Sequence, residues 1–150
     1  MADKSEARLE SLSHEECLEL LRKGVVGRIA FSIDDFPVIL PVNYRLMETS
    51  GRVWIALRTR PGNVIERAPV NVAFEIDGID VTQHQGWSVL ARGTLHQVDP
   101  DAADFRERFD PEPWIEAERD SWLIIDPFAL TGRRIHGARP EWAFHESSYL

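Results

Sequence analysis

The stretch VVGRIAFSIDDFPVILPVNYRLMETSGRVWIALRT (25–59) decides the fold that this sequence predicts. Apolar and polar residues alternate with a period of two over 25–33, and β-branched residues are frequent in 37–59, so both parts indicate β-strands. Asp34-Asp35 and Thr49-Ser50-Gly51 are residues typical of the turns between such strands. Pro41 lacks a backbone donor, and it predicts an edge strand, a bulge or a change of strand partner at that point.

The flanking segments extend this pattern in both directions. Ser13-His14-Glu15-Glu16 is a capping box and Gly24 supplies a stop, which predicts a short amphipathic helix over 13–24 that covers one end of a sheet. Further alternating segments occur towards the C-terminus, one of them predicted to bend at Gly93, together with helical turns and a helix start. The predicted strands are 70–77, 86–98, 122–126 and 132–137, the helical turns fall in 61–69, and the helix start falls in 99–109.

About six strands with hairpin-length connections and peripheral helices are typical of a mainly β protein. An open α/β sheet is disfavoured because helices do not alternate with the strands. Closing an antiparallel sheet removes its exposed edges, so we expect a small barrel. The 150 residues suit one domain, with residues 1–12 as a polar lead-in and 13–150 as the single folded domain.

Composition excludes several classes of protein. Hydrophobic residues make up 43% and charged residues 28%, which is globular, and no apolar run is long enough for a membrane helix or a secretory signal. A net charge of −8 opposes binding to nucleic acid. Cys17 is the only cysteine, which excludes an internal disulfide and a multi-cysteine metal site and favours the cytoplasm. The histidines lack metal-ligand spacing, so we expect no metal site.

Two segments suggest binding chemistry. Arg58 and Thr59 end a strand where a Pro-Gly loop begins, so a guanidinium, a hydroxyl and loop amides could hold a phosphate, with help from Arg60. The alternative is a solvated arginine at a strand end. Trp87 and Ser88 offer a large ring and a hydroxyl, although a core tryptophan is the simpler interpretation. The sequence lacks the glycine motifs of Rossmann and P-loop nucleotide sites, and no catalytic residue is assigned.

Taken in order, these segments resemble the flavin-binding split barrels of the pyridoxamine 5′-phosphate oxidase-like family. The resemblance lies in EECLELLRKGVVGRIAF (15–31), PVILPVNY (37–44), Arg58–Gly62, VAFEID (72–77) and GWSVLARG (86–93). It implies a six-stranded antiparallel split β-barrel of the FMN-binding type that forms a homodimer, with each flavin in a groove walled by both subunits. It also implies that Val42, Asn43 and Tyr44 lie along the isoalloxazine ring, that Arg58, Thr59 and Arg60 hold the phosphate, and that Trp87 and Ser88 line the groove.

The sequence departs from this family where relatives commonly have Pro-Gly-Thr-Lys after the arginine. Here Asn63 and Val64 follow Gly62. The lysine that the resemblance implies as a partner of the phosphate is therefore missing. The cofactor could therefore be FMN, a deazaflavin coenzyme, or none.

The C-terminal segment holds a dense set of cationic and aromatic residues in an otherwise acidic chain. By resemblance, late strands reach the partner's flavin groove, so this set could contact cofactor or substrate; the alternative is a solvated tail. The set comprises Arg133, Arg134, His136 and Trp142.

The function that the resemblance implies is an FMN-dependent oxidoreductase that transfers hydride to or from a small organic substrate. The alternatives are a deazaflavin-dependent reductase on the same fold and a non-catalytic dimer that binds flavin or another small ligand. The flavin itself carries the redox chemistry, so the absence of an evident general base does not argue against an enzyme.

Overall fold

The computed structural model describes residues 7–60, 62–98 and 121–138. The described elements are β1 (Arg8–Ser11), α1 (His14–Lys23), β2 (Val26–Ile33), β3 (Phe36–Thr49), β4 (Arg52–Thr59), a 3₁₀ helix (Val64–Arg67), β5 (Asn71–Asp80), β6 (Gln85–Val98) and β7 (Ser121–His136). The helix predicted to start in 99–109 lies outside the described residues. No helix in the described part of the chain is long and apolar enough to cross a membrane.

The strands close into a six-stranded antiparallel barrel, which confirms the predicted fold. Neighbouring strands follow the order β7-β4-β3-β2-β5-β6, and β6 pairs with β7 to complete the ring. A seventh strand, β1, pairs with the end of β7 outside the ring. The predicted polar lead-in 1–12 therefore includes a short strand; β1 is mostly exposed and lacks a clear alternation, so its sequence pattern does not indicate a strand.

Strand β3 changes partner along its length, as Pro41 predicted. Residues 36–43 pair with β2, and residues 43–49 pair with β4. Asn43 is the junction, since it is paired with a residue on each side. This junction brings the start of β2 and the end of β4 to the same point on the barrel wall.

Strand β7 corrects the prediction of two short strands at 122–126 and 132–137. It is one strand that pairs with β6 throughout, while its other edge meets β4 first and β1 last. The pairing shifts register next to Gly93, the residue predicted to bend β6, and Phe128 is the extra residue on β7. This bulge accommodates Pro127 within the strand, so a break in the sequence pattern is not a break in the structure.

Helix α1 covers one end of the barrel. Its capping box forms as predicted, with the Ser13 side chain accepting from the Glu16 amide and Glu16 accepting from the Ser13 amide. Gly132 on β7 makes room for the helix, because a Cβ there would lie 2.6 Å from the Cys17 sulfur. The buried face of α1 joins the barrel interior in one hydrophobic core, whose helix members are Cys17, Leu18 and Leu21 and whose bulky strand members include Ile29, Phe31, Tyr44, Phe74, Leu57 and Leu123.

Candidate functional site

A row of three side chains, which we call the Arg58 row, crosses three strands of the barrel wall at the partner change of β3. Asn43, Arg58 and Trp122 are successive cross-strand partners on β3, β4 and β7, so their side chains share one face. That face is opposite to the core face, because the neighbouring residue Leu57 is fully buried inside. The guanidinium carbon of Arg58 lies 5.2 Å from the centre of the Trp122 ring. The indole therefore holds the charge of Arg58 at a defined position beside Asn43.

The loop after β4 is a tight turn followed by one turn of 3₁₀ helix. The Asn63 amide donates to the Arg60 carbonyl at 3.1 Å, and Gly62 adopts a φ of 77°, which favours glycine. The side chain of Asn63 then accepts from the Ile65 amide at 3.2 Å and caps the 3₁₀ helix. The side chain of Val64 is half-buried and packs against the core. The loop thus has a rigid backbone without an ammonium group at that position.

Glu66 sits inside this turn, and sequence reasoning missed it. Its carboxylate accepts a hydrogen bond from the Gly62 amide at 2.8 Å and another from the Ser121 hydroxyl. Ser121 is the cross-strand partner of Thr59, so the carboxylate lies at the same strand end as the predicted phosphate residues. Only the fold brings Ser121 to Gly62 and Glu66, and no spacing in the sequence signals this.

Strand alternation separates the other residues that were predicted to bind cofactor. Val42 and Tyr44 flank Asn43 and point to the opposite face, where both pack with the core. The Tyr44 hydroxyl donates to the Leu21 carbonyl at 2.8 Å, and burial raises the pKa of its phenol. Thr59 is likewise buried, whereas Arg60 is exposed. Asn43 is therefore the residue of this β3 triplet whose side chain shares a face with Arg58.

A second region lies where β5, β6, β7 and β1 run side by side. It is a largely apolar crevice of about 600 Å³ whose lining includes Trp87, Ser88 and Arg133. Gly86 is the cross-strand partner of both Ile79 and Ile135. Because Gly86 has no side chain, a slot is left between these two exposed isoleucines. We name this region the crevice. Among the described residues that line the crevice, none belongs to the Arg58 row.

The remaining predicted groove residues lie on the other face of β7. Arg134 forms an ion pair with Glu16 at 3.5 Å, and the His136 ring lies 2.6 Å from a carboxylate oxygen of Glu10. The hydrogen bond from His136 lowers the pKa of Glu10. Arg134 and His136 also line a 290 Å³ pocket that shares six lining residues with the crevice, Trp87 among them. Trp142 lies outside the described residues.

The two regions meet β7 at different points. Arg58 pairs with Trp122, whereas Ser88 pairs with Arg133, eleven residues further along the same strand. At about 3.3 Å per residue, this separation is about 36 Å of strand. The Arg58 row, in which Trp122 is buried and Asn43 and Arg58 are half-buried, is therefore a separate region of the chain from the crevice.

A comparison with protein families matches most of this chain. Residues 13–134 match the model of the family described as pyridoxamine 5′-phosphate oxidase. The chain is also similar to an uncharacterized protein of Mycobacterium tuberculosis, with 30% identity over 133 residues that cover 83% of this chain and 84% of that protein.

Solved structures share the fold. The chain is 30% identical to a protein from Mycobacterium smegmatis described as an FAD binding protein, over 85% of this chain and 98% of that one, with a TM-score of 0.63. It is 25% identical to a conserved protein of unknown function from Corynebacterium diphtheriae, over 88% of this chain and 98% of that one, with a TM-score of 0.71. These two structures match this chain over nearly their whole length.

Proposed function

Because the chain belongs to the pyridoxamine 5′-phosphate oxidase family, we propose that it is a flavin-binding oxidoreductase. In this proposal it works as a homodimer and transfers hydride between the flavin and a small organic substrate. The Mycobacterium smegmatis protein described as binding FAD supports a flavin as the ligand. When bound, the flavin supplies the redox chemistry, and the protein binds it, orients it and excludes water.

The observation that carries the proposal is the position of Arg58. Its guanidinium is held over the Trp122 ring beside Asn43, at the end of a strand that leads into a rigid glycine turn. A guanidinium can donate two parallel hydrogen bonds to one phosphate group, and Asn43 adds an amide. These residues fit the phosphate end of a flavin nucleotide.

The crevice fits the ring end. Its apolar walls suit a flat aromatic system, while Ser88 and Arg133 offer hydrogen-bond donors to polar ring atoms. Since the crevice and the Arg58 row are separate regions of one chain, we propose that two chains form each site. The Arg58 row of one protomer would then face the crevice of its partner.

The form of the flavin has two candidates. The family resemblance implies FMN, whereas the FAD-binding relative from Mycobacterium smegmatis points to FAD. Both carry the same ring and a first phosphate at the same place, so Arg58 has the same role in either case. A deazaflavin coenzyme and a purely binding role are alternatives that a ligand titration distinguishes.

The first experiment identifies the ligand. The purified protein is examined for flavin absorbance near ~450 nm, the mass of any released molecule is measured, and the protein is titrated with riboflavin, FMN, FAD and a deazaflavin. We expect a flavin to bind. Binding of the deazaflavin alone would replace the proposed cofactor, and binding of none would refute the proposal. A flavin that binds but is not reduced or reoxidised by small organic substrates indicates a carrier.

The second experiment tests the shared site with two variants, Arg58→Ala and Arg133→Ala, co-expressed under different tags. If each site takes Arg58 from one chain and Arg133 from the other, a mixed dimer contains one intact site and one doubly altered site. Random mixing then restores about a quarter of the binding sites. If both residues serve a site within one chain, mixing restores none.

A further inference from the structure

Glu66 lies at the strand end that carries the proposed phosphate residues, and its carboxylate already accepts hydrogen bonds from the Gly62 amide and the Ser121 hydroxyl. We propose that Glu66 selects the form of the flavin: it disfavours the dianionic phosphate monoester of FMN and favours a flavin dinucleotide, whose pyrophosphate carries one negative charge on each phosphate. This inference rests on the proposed function, because it names the cofactor of the same site.

The first argument concerns hydrogen-bond donors. A backbone amide in a glycine turn and a hydroxyl at a strand end are donors that proteins commonly use for phosphate. Here the Gly62 amide and the Ser121 hydroxyl donate to the two oxygens of the Glu66 carboxylate. A phosphate that needs these donors must displace a carboxylate that is anchored at both oxygens.

The second argument concerns charge. A phosphate monoester concentrates about −1.5 to −2 of charge on one phosphate near pH 7, so a neighbouring carboxylate repels it more strongly than it repels the first phosphate of a pyrophosphate, which carries one charge. The family resemblance implies a lysine at position 64 that would offset this repulsion, whereas Val64 has no charge and packs against the core. Arg67, the cation at the end of the 3₁₀ helix, is exposed rather than folded into the turn.

The third argument is that the backbone on both sides of Glu66 is held in place. Ile65 is fully buried, so the 3₁₀ helix that carries Glu66 is fixed to the barrel. The Asn63 cap and the Arg60–Asn63 turn hold the loop on the other side of Glu66. The carboxylate of Glu66 is thus held in a fixed position within the loop.

The test uses Glu66→Gln, which removes the charge while its amide oxygen can still accept from the Gly62 amide. Glu19→Gln is the matched control, since it removes the same charge from an exposed position on α1. Both variants and the original protein are titrated with riboflavin, FMN and FAD, and their melting temperatures are compared. Glu66→Ala is a second variant that removes the carboxylate and its hydrogen bonds altogether.

We expect Glu66→Gln to tighten FMN about tenfold or more, to change FAD by less than about threefold, and to leave riboflavin unchanged. We also expect the original protein to bind FAD more tightly than FMN. The inference is overturned if the ratio of FMN affinity to riboflavin affinity is the same in the original protein and in both Glu66 variants. In that case, flavin binding itself would still support the proposed function. If no flavin binds to any of the proteins, the proposed function fails, and this inference fails with it.

Discussion

Replacing Arg58 by alanine tests where the cofactor phosphate lies. The guanidinium is half-buried against the Trp122 ring, so its direction is already fixed before a ligand arrives. A hydrogen bond to a charged group contributes about 1.5–3 kcal/mol, and removing it corresponds to an affinity loss of about 10- to 150-fold. We therefore expect Arg58→Ala to weaken FMN and FAD by at least about tenfold.

Riboflavin provides the internal control, because it has the ring but no phosphate. Fluorescence titration of the purified variant with riboflavin, FMN and FAD separates loss of a phosphate contact from damage to the ring site. Arg58→Lys keeps the charge but lacks the planar fork that makes two parallel hydrogen bonds, so its affinity for FMN should fall between those of the original protein and the alanine variant.

Two results would refute this reasoning. Unchanged FMN affinity in Arg58→Ala means that the phosphate lies elsewhere. An equal loss for FMN and riboflavin, together with a lower melting temperature, means that Arg58 supports the barrel through Trp122 and does not contact the phosphate.

Three further substitutions test the packing and the cap. Trp87→Ala should lower the free energy of unfolding by about 2–4 kcal/mol and also weaken flavin binding, because the ring packs against the core and lines the crevice. Loss of binding at an unchanged melting temperature would contradict this dual role. Tyr44→Phe should cost about 1–2 kcal/mol in denaturant unfolding, since the Leu21 carbonyl loses its donor, and should leave flavin affinity unchanged. Ser13→Ala should cost about 1 kcal/mol by removing the cap of α1. The hydrogen bond from the Ser13 amide, followed by that with the Ser13 side chain, lowers the pKa of Glu16 from 4.5. This group therefore stabilises the folded state above that value, and the contribution is lost as pH falls through the lowered pKa. Since Ser13→Ala removes the side chain but keeps the amide, the acid sensitivity of unfolding should decrease only in part in this variant.

Much of the fold could be predicted from local patterns. The alternation in 25–33, the capping box at Ser13 and the position of Pro41 each depend on neighbours in sequence, and each has the predicted consequence in the structure. The continuous strand β7 could not be predicted, because a bulge opposite Gly93 carries Pro127 through a segment whose pattern alone indicates a break.

The candidate site was only partly predictable. Arg58 stood out as a cation before a Pro-Gly loop, and its stacking on Trp122 gives it a defined position. Strand alternation, however, places Tyr44 in the core and Asn43 beside Arg58, so a run of neighbouring residues does not line one surface.

Residue order alone established a mainly antiparallel barrel with a capped helix and a cationic strand end, because these features arise from contacts between residues that are close along the chain. Closure of the barrel decided which residues from distant parts of the chain lie together. It joined Glu66 to Ser121 across the strand end, and it separated Arg58 from the crevice around Trp87. Both results depend on the pairing of β7 with β4 and β6, and such long-range pairing is decided by the packing of the whole sheet and not by any local pattern.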